Sequence, residues 1–146
     1  MAYRADVCKV EEVKACIDAT VQKFGRLDCL FNNAGYQGAF KPVHEYPDED
    51  FPRVLNINVT GVYYFLKYAT LQMKSQEPKG GAILNTASQA GVDGPPNMAA
   101  YTASKAAVIG LTKTAAKDVA PHGVRVNSLS PAFVGYCMMW DRQCEL

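Results

Sequence analysis

The sequence has no CxxC pair, no excess of charge of either sign, and no apolar run approaching the ~20 residues needed to span a bilayer. Its cysteines, Cys8, Cys16, Cys29, Cys137 and Cys144, are odd in number and scattered. That speaks against a disulfide framework and against zinc ligation, and it predicts reduced thiols in a cytoplasmic protein. His44 and His122 lack a cysteine or acidic partner at ligand spacing, so no metal is expected. A formal net charge of +1 offers no electrostatic reason to bind nucleic acid. Residues 1–9 carry Arg4, Asp6 and Lys9 without an apolar run, so neither a signal peptide nor a membrane anchor is expected. Asn58-Val59-Thr60 matches a glycosylation sequon, read here as coincidence because nothing else points to secretion.

What is present suits one soluble domain: 146 residues, 49% hydrophobic and 20% charged, enough to bury a core. Short apolar runs alternate with longer amphipathic segments, the pattern of helices laid over a parallel sheet, so the fold class is α/β. Val13, Ile17, Val21 and Phe24 recur at helical spacing, which predicts a helix at Val10–Phe24 stopped by Gly25. Residues 27–31, LDCLF, read as a strand apolar on both faces, as a strand covered by helices requires. A loop follows at 33–48, a long helix at 50–74, a turn at 76–81 and a strand at 82–86. A second loop at 88–98, a helix at 99–120 and a strand at Val124–Leu129 complete the series. Right-handed crossovers would set the strands side by side, with ligands bound beyond their C-terminal ends. Three places stand out on that rule: the loop after Phe31, the loop after Thr86 and the segment after Leu129.

Tyr101 and Lys105 in YTASK lie four apart on a helix, which turns both toward one ligand. A phenol is a poor base near neutrality, and an adjacent ammonium favours its ionised form. The same ammonium has three donors for ribose hydroxyls. Ser88, at the mouth of a strand in NTASQAG, offers a further donor to the same crevice.

Four signals occur in order: Asn32-Asn33-Ala34-Gly35, Asn58-Val59-Thr60-Gly61, Ser88, and Tyr101-x-x-x-Lys105, with Ser88 thirteen residues ahead of Tyr101. Together they resemble the short-chain dehydrogenase/reductase family over essentially the whole chain. The resemblance implies a partial Rossmann-like, doubly wound parallel sheet of about three strands, a single partial domain over 1–146, and hydride transfer between NAD(P) and a secondary alcohol or ketone. It implies that Tyr101 is the general acid/base, that Lys105 lowers its pKa and holds the nicotinamide ribose, and that Ser88 orients the reacting oxygen. Asn58 would complete a tetrad through a bound water, in a stretch weak enough for a water to distort the helix. Asn33, Ala34 and Gly35 would lie along the cofactor ribose, Asp6 and Val7 at its adenine, and Val134 at its carboxamide. The runs FNNAGYQGAF, DFPRVLNINVTG and GPPNMAAY resemble polyol-oxidising members, implying NAD, with NADP not excluded, and a polyol such as xylitol. Gln37, Gln89, Asn97 and Met98 are placed to meet such a substrate.

Tyr63, Tyr64, Phe65 and Tyr68 read as core and subunit contact, and the resemblance implies that the long helices at 50–74 and 99–120 pair between subunits, giving a homodimer or homotetramer of the full-length form. The chain departs from the family in two places. It contains no TGxxxGxG, the turn that meets the pyrophosphate, so the resemblance implies a portion truncated at both ends, with an open apolar edge at 27–31. The family's Pro-Gly is Pro131-Ala132 here, and Tyr136 stands where a threonine is usual. Alternative readings are a reductase of sugars or 3-oxoacyl groups, or an inactive remnant that pairs with a full-length relative.

Overall fold

In the computed structural model, which describes residues 1–135, helix α1 spans Val10–Phe24. Glu11 and Glu12 sit in its first turn, where carboxylates complement the helix dipole. It ends where Gly25 takes a φ of 83° and donates its N–H to the Val21 carbonyl at 2.7 Å.

Strand β1 covers Cys29–Asn32, starting later than the 27–31 pattern predicts. The reason is the buried Gln76, whose side-chain amide takes the place of a neighbouring strand: Oε1 accepts from Leu27 N at 3.0 Å while Nε2 donates to Leu27 O at 2.9 Å. The long helix predicted at 50–74 is present but interrupted. Helix α2 (Asp50–Leu55) passes through a π-turn at Asn56–Thr60 into α3 (Gly61–Ser75), so the ladder distorts at the weak Asn-Val-Thr-Gly stretch. Strand β2 (Gly81–Thr86) follows, then a short α4 (Ala90–Asp93) inside the segment expected to be loop. Helix α5 (Ala99–Val119) gives way at Ala120 to a 3₁₀ turn containing Pro121, and β3 runs Val124–Leu129.

The strands are all parallel in the order β1-β2-β3, with Asn32 opposite Asn85 and Thr86 opposite Leu129. Alternation along the strands sends Ile83, Val124 and Val126 into one core with Val13 and Ile17 of α1 and Leu66, Ala69 and Met73 of α3. Leu111, Ala115 and Val119 of α5 pack against it. Fully buried side chains such as Met73, Val13 and Val108 each contribute roughly 2 kcal/mol through removal of apolar area from water. This is the expected partial Rossmann-like α/β arrangement, with one difference. Among the described residues the helices cover one face of the sheet, and the other leaves Phe31 58%, Leu84 36% and Leu129 50% exposed. The two-faced apolar strands therefore have only half of the cover their sequence suits.

A buried amide chain crosses from sheet to helix. Asn32 Nδ2 donates to Asn85 Oδ1 at 2.9 Å, Asn85 Nδ2 donates to Thr112 Oγ1 at 3.0 Å, and that hydroxyl donates to Val108 O at 2.7 Å. Every link is buried and paired, so the chain fixes α5 over the C-terminal halves of β1 and β2.

Candidate active site

A cavity of about 790 Å³ opens beyond the C-terminal ends of the strands. All three segments that the sheet rule singles out reach it: Asn33 and Gly35 after β1, Ser88 after β2, and Pro131 to Val134 after β3. They are tied to one another, since Ala87 N donates to Leu129 O at 2.8 Å and Gln89 N to Pro131 O at 3.0 Å.

Helix α5 brings Tyr101 and Lys105 to the same cavity. The Lys105 Nζ lies 5.5 Å from the Tyr101 ring centroid and donates to Thr86 O at 2.6 Å. That uses one of its three N–H bonds and leaves two for a ligand. Ser88 Oγ accepts from Ala90 N at 3.2 Å, and its own proton is directed at the Tyr101 hydroxyl in the cavity. The groups at 88, 101 and 105 thus share one environment.

Electrostatically the pair differs from the sequence expectation. Burial pushes the Tyr101 phenol up, and the Ser88 hydroxyl beside it pulls only partly the other way. Burial also brings Lys105, 3% exposed, down to about 8. At the phenol, loss of hydration outweighs the hydrogen bond from Ser88.

Asn58 is completely buried beside the cavity, within the π-turn. Its Oδ1 accepts from Tyr36 N at 2.7 Å, and its Nδ2 donates to Tyr36 O at 2.8 Å and to Ser104 Oγ at 2.9 Å. Both amide protons are therefore spent on protein, and the Asn58 side chain joins the loop after β1 to α5. Thr86, Tyr36 and Ser104 were not singled out by sequence, because their parts in the site are played by backbone groups or by a hydroxyl turned inward.

The remaining candidates divide. Val134 lines the large cavity, whereas Val7 and Ala34 line a smaller one of about 200 Å³, and Asn33 belongs to both. Asp6 lies in neither; its Oδ1 accepts from Cys8 N at 2.9 Å in the turn before α1. Tyr136 lies outside the described residues. Among the described residues no group of three or more His, Cys, Asp or Glu could hold a metal ion, and no helix is long and apolar enough to cross a membrane.

Gly91 shows how closely the site is packed. A Cβ there would stand 2.6 Å from the Lys105 backbone carbon and 2.7 Å from Ala106 N, so α4 rests directly on α5. Gly91→Ala is expected to destabilise the fold by roughly 2 kcal/mol, read as a lower midpoint in urea unfolding, because neither backbone can yield cheaply.

A nicotinamide dinucleotide can be tested against these groups. Gly35 keeps the approach to Lys105 open: a Cβ at that position would lie 3.7 Å from Nζ. The free donors of Lys105 beside a phenol suit a ribose diol, so the residues fit the nicotinamide-ribose half. The pyrophosphate has no glycine-rich turn within the 146 residues.

The short chain dehydrogenase family model matches residues 1–145, and the chain belongs to that family. The crystal structure of NAD+-bound xylitol dehydrogenase is 56% identical with a TM-score of 0.94, matching 99% of this chain and 55% of that one. ElxO with NADP bound is 36% identical with a TM-score of 0.90, over 98% of this chain and 56% of that one. In sequence, the 2,5-dichloro-2,5-cyclohexadiene-1,4-diol dehydrogenase of Sphingobium indicum is 45% identical over 132 residues, 90% of this chain and 52% of the relative. The chain therefore spans about half the length of the relatives it matches.

Proposed function

We propose that the protein is an NAD-dependent, cytoplasmic oxidoreductase of secondary alcohols, with a polyol such as xylitol as substrate. The observation that carries the reading is the convergence of Ser88, Tyr101 and Lys105 on one cavity beside Asn33 and Gly35. The likeness to xylitol dehydrogenase and to a diol dehydrogenase supports both the cofactor and the hydroxyl-rich substrate.

When bound, the nicotinamide supplies the acceptor for hydride leaving the carbinol carbon. Tyr101 takes the hydroxyl proton in oxidation and returns it in reduction. Ser88 donates to the same oxygen, meeting its developing charge with a positioned dipole instead of mobile water. Lys105, when charged, favours the phenolate and holds the ribose. Asn33, Ala34, Gly35 and Val134 would border a bound cofactor, with Asp6 and Val7 toward its adenine. Asn58 acts as a positioning residue, setting Tyr36 and the Tyr101 turn through Ser104. Pairing of copies through α3 and α5 completes the proposal, with Tyr63 and Leu71 exposed on α3 as its contacts.

Initial rates of NAD reduction by the full-length protein with xylitol, a monohydric secondary alcohol and a 3-oxoacyl thioester (in reverse, with reduced cofactor) test this. Turnover of xylitol at the highest kcat/KM is expected; preference for the thioester would assign a reductase instead. A second reading, a silent partner of a full-length relative, draws on the sheet face where Phe31, Leu84 and Leu129 are exposed among the described residues. Absence of any change in reduced-nicotinamide fluorescence on mixing with the protein would select it.

A further inference from the structure

Four residues of the crevice could meet a hydroxyl-rich substrate, and the structure separates them. Met98 lines the cavity but has no strong polar group, and Gln89, whose Nε2 donates to Asp93 Oδ2 at 2.6 Å, is an exposed contact. Asn97, with φ 66°, gives its carbonyl to Lys41 N and does not line the cavity. Gln37 is different. It lines the cavity, it is 3% exposed, and its Oε1 has no hydrogen-bond partner among the described residues.

A buried carbonyl without a donor costs about 1–3 kcal/mol, so its retention needs an explanation. The neighbouring residues hold Gln37 firmly in place. Before it, Tyr36 is clamped at both backbone groups by Asn58, and its ring lies under the Arg53 guanidinium, 4.7 Å from the centroid. After it, Gly38 adopts a φ of 78° in a turn where any side chain would collide with Tyr46, Val54 and Asp50. Asp50 Oδ2 then receives both Ala39 N at 2.7 Å and the Tyr46 hydroxyl at 2.9 Å. These ties fix the backbone on both sides of Gln37 and so set where its side chain starts.

We infer that Gln37 Oε1 accepts a hydrogen bond from a second hydroxyl of the substrate, making Gln37 the residue that selects diols and polyols over monohydric alcohols. This rests on the alcohol-oxidising reading above and sharpens it. A site built to receive a hydroxyl penalises an analogue that lacks one, because the buried acceptor then stays unpaired. Phe40, Pro95, Pro96 and Ala87 add an apolar part to the lining, and among its polar side chains Gln37 carries the buried oxygen left without a partner.

The test is Gln37→Leu and Gln37→Glu in the full-length protein, assayed with xylitol and with cyclohexanol. Leucine removes the acceptor at similar volume; glutamate keeps it. Gln37→Leu is expected to lower kcat/KM for xylitol by about tenfold or more and to change that for cyclohexanol by less than about twofold. Gln37→Glu should retain most of the xylitol activity. The melting temperature of Gln37→Leu should equal or exceed that of the wild type, since an unpaired buried carbonyl is removed. An equal fall for both alcohols, or a marked loss of melting temperature, would mean a structural role and overturn the inference while leaving the oxidoreductase reading intact. Wild-type protein that reduces NAD with neither alcohol overturns both.

Discussion

Tyr101→Phe is expected to lower kcat for alcohol oxidation by about a thousandfold, within the range that a positioned acid/base supplies, while leaving dinucleotide affinity within about threefold. The substitution removes one oxygen and keeps the ring. Tyr101 is 9% exposed and belongs to the buried part of α5, so phenylalanine fills the same volume and the helix keeps its place. Lys105 still reaches Thr86 O, and the Asn32–Asn85–Thr112 chain that holds α5 is untouched. What goes is the one group beside Ser88 that can accept the carbinol proton. Initial rates give kcat, and titration of reduced-nicotinamide fluorescence gives affinity. A variant keeping more than about a tenth of wild-type kcat would place the proton transfer elsewhere.

The positions of these groups were legible because each rests on a local signal. Tyr101 and Lys105 share a helix face by spacing alone, and Ser88 follows a strand whose apolar run marks its end. Helix α1 and strand β3 match their predicted bounds, since Gly25 and the glycine at 123 punctuate them. The π-turn at Asn56–Thr60 falls where the sequence predicts a weak ladder.

What the sequence hid is long-range pairing of polar side chains. Gln76 reads as a turn residue, yet it replaces a strand neighbour for Leu27, 49 positions away. Asn85 looks like a polar interruption in ILNT, but it is fully buried opposite Asn32, and only the strand register reveals that the two amides meet. Helix α4 was missed because four residues are too few to show a period; Ser88 before it and Gly94 after it were its available signals. The exposure of Phe31, Leu84 and Leu129 follows from the same cause, because apolar strands announce burial without naming what covers them.

Lys105→Met is expected to remove the pH dependence that the buried ammonium imposes on stability and to move that of the rate to higher pH. Burial takes Lys105 from the ordinary 10.5 down to about 8. Between those values the unfolded chain binds more protons than the folded one, so wild-type stability rises with pH across the window; below about 8 the full penalty stands. The difference is roughly 3 kcal/mol at about 1.4 kcal/mol for each tenfold step. Urea unfolding at pH 7 and at pH 10 should show a change in stability more favourable in the wild type than in Lys105→Met by about this amount, the other titrating groups being common to both; parallel behaviour would show that the lysine is hydrated. The rate follows the same proton. Oxidation needs the Tyr101–Lys105 pair to have lost one proton, leaving phenolate beside ammonium, and the pair has lost it above about pH 8 whichever atom gave it up. Wild-type kcat/KM for oxidation should therefore climb about tenfold per pH unit below that point and level above it. In Lys105→Met the phenol must ionise alone against a burial that raises its pKa, so its slower rate should keep climbing beyond the wild-type plateau.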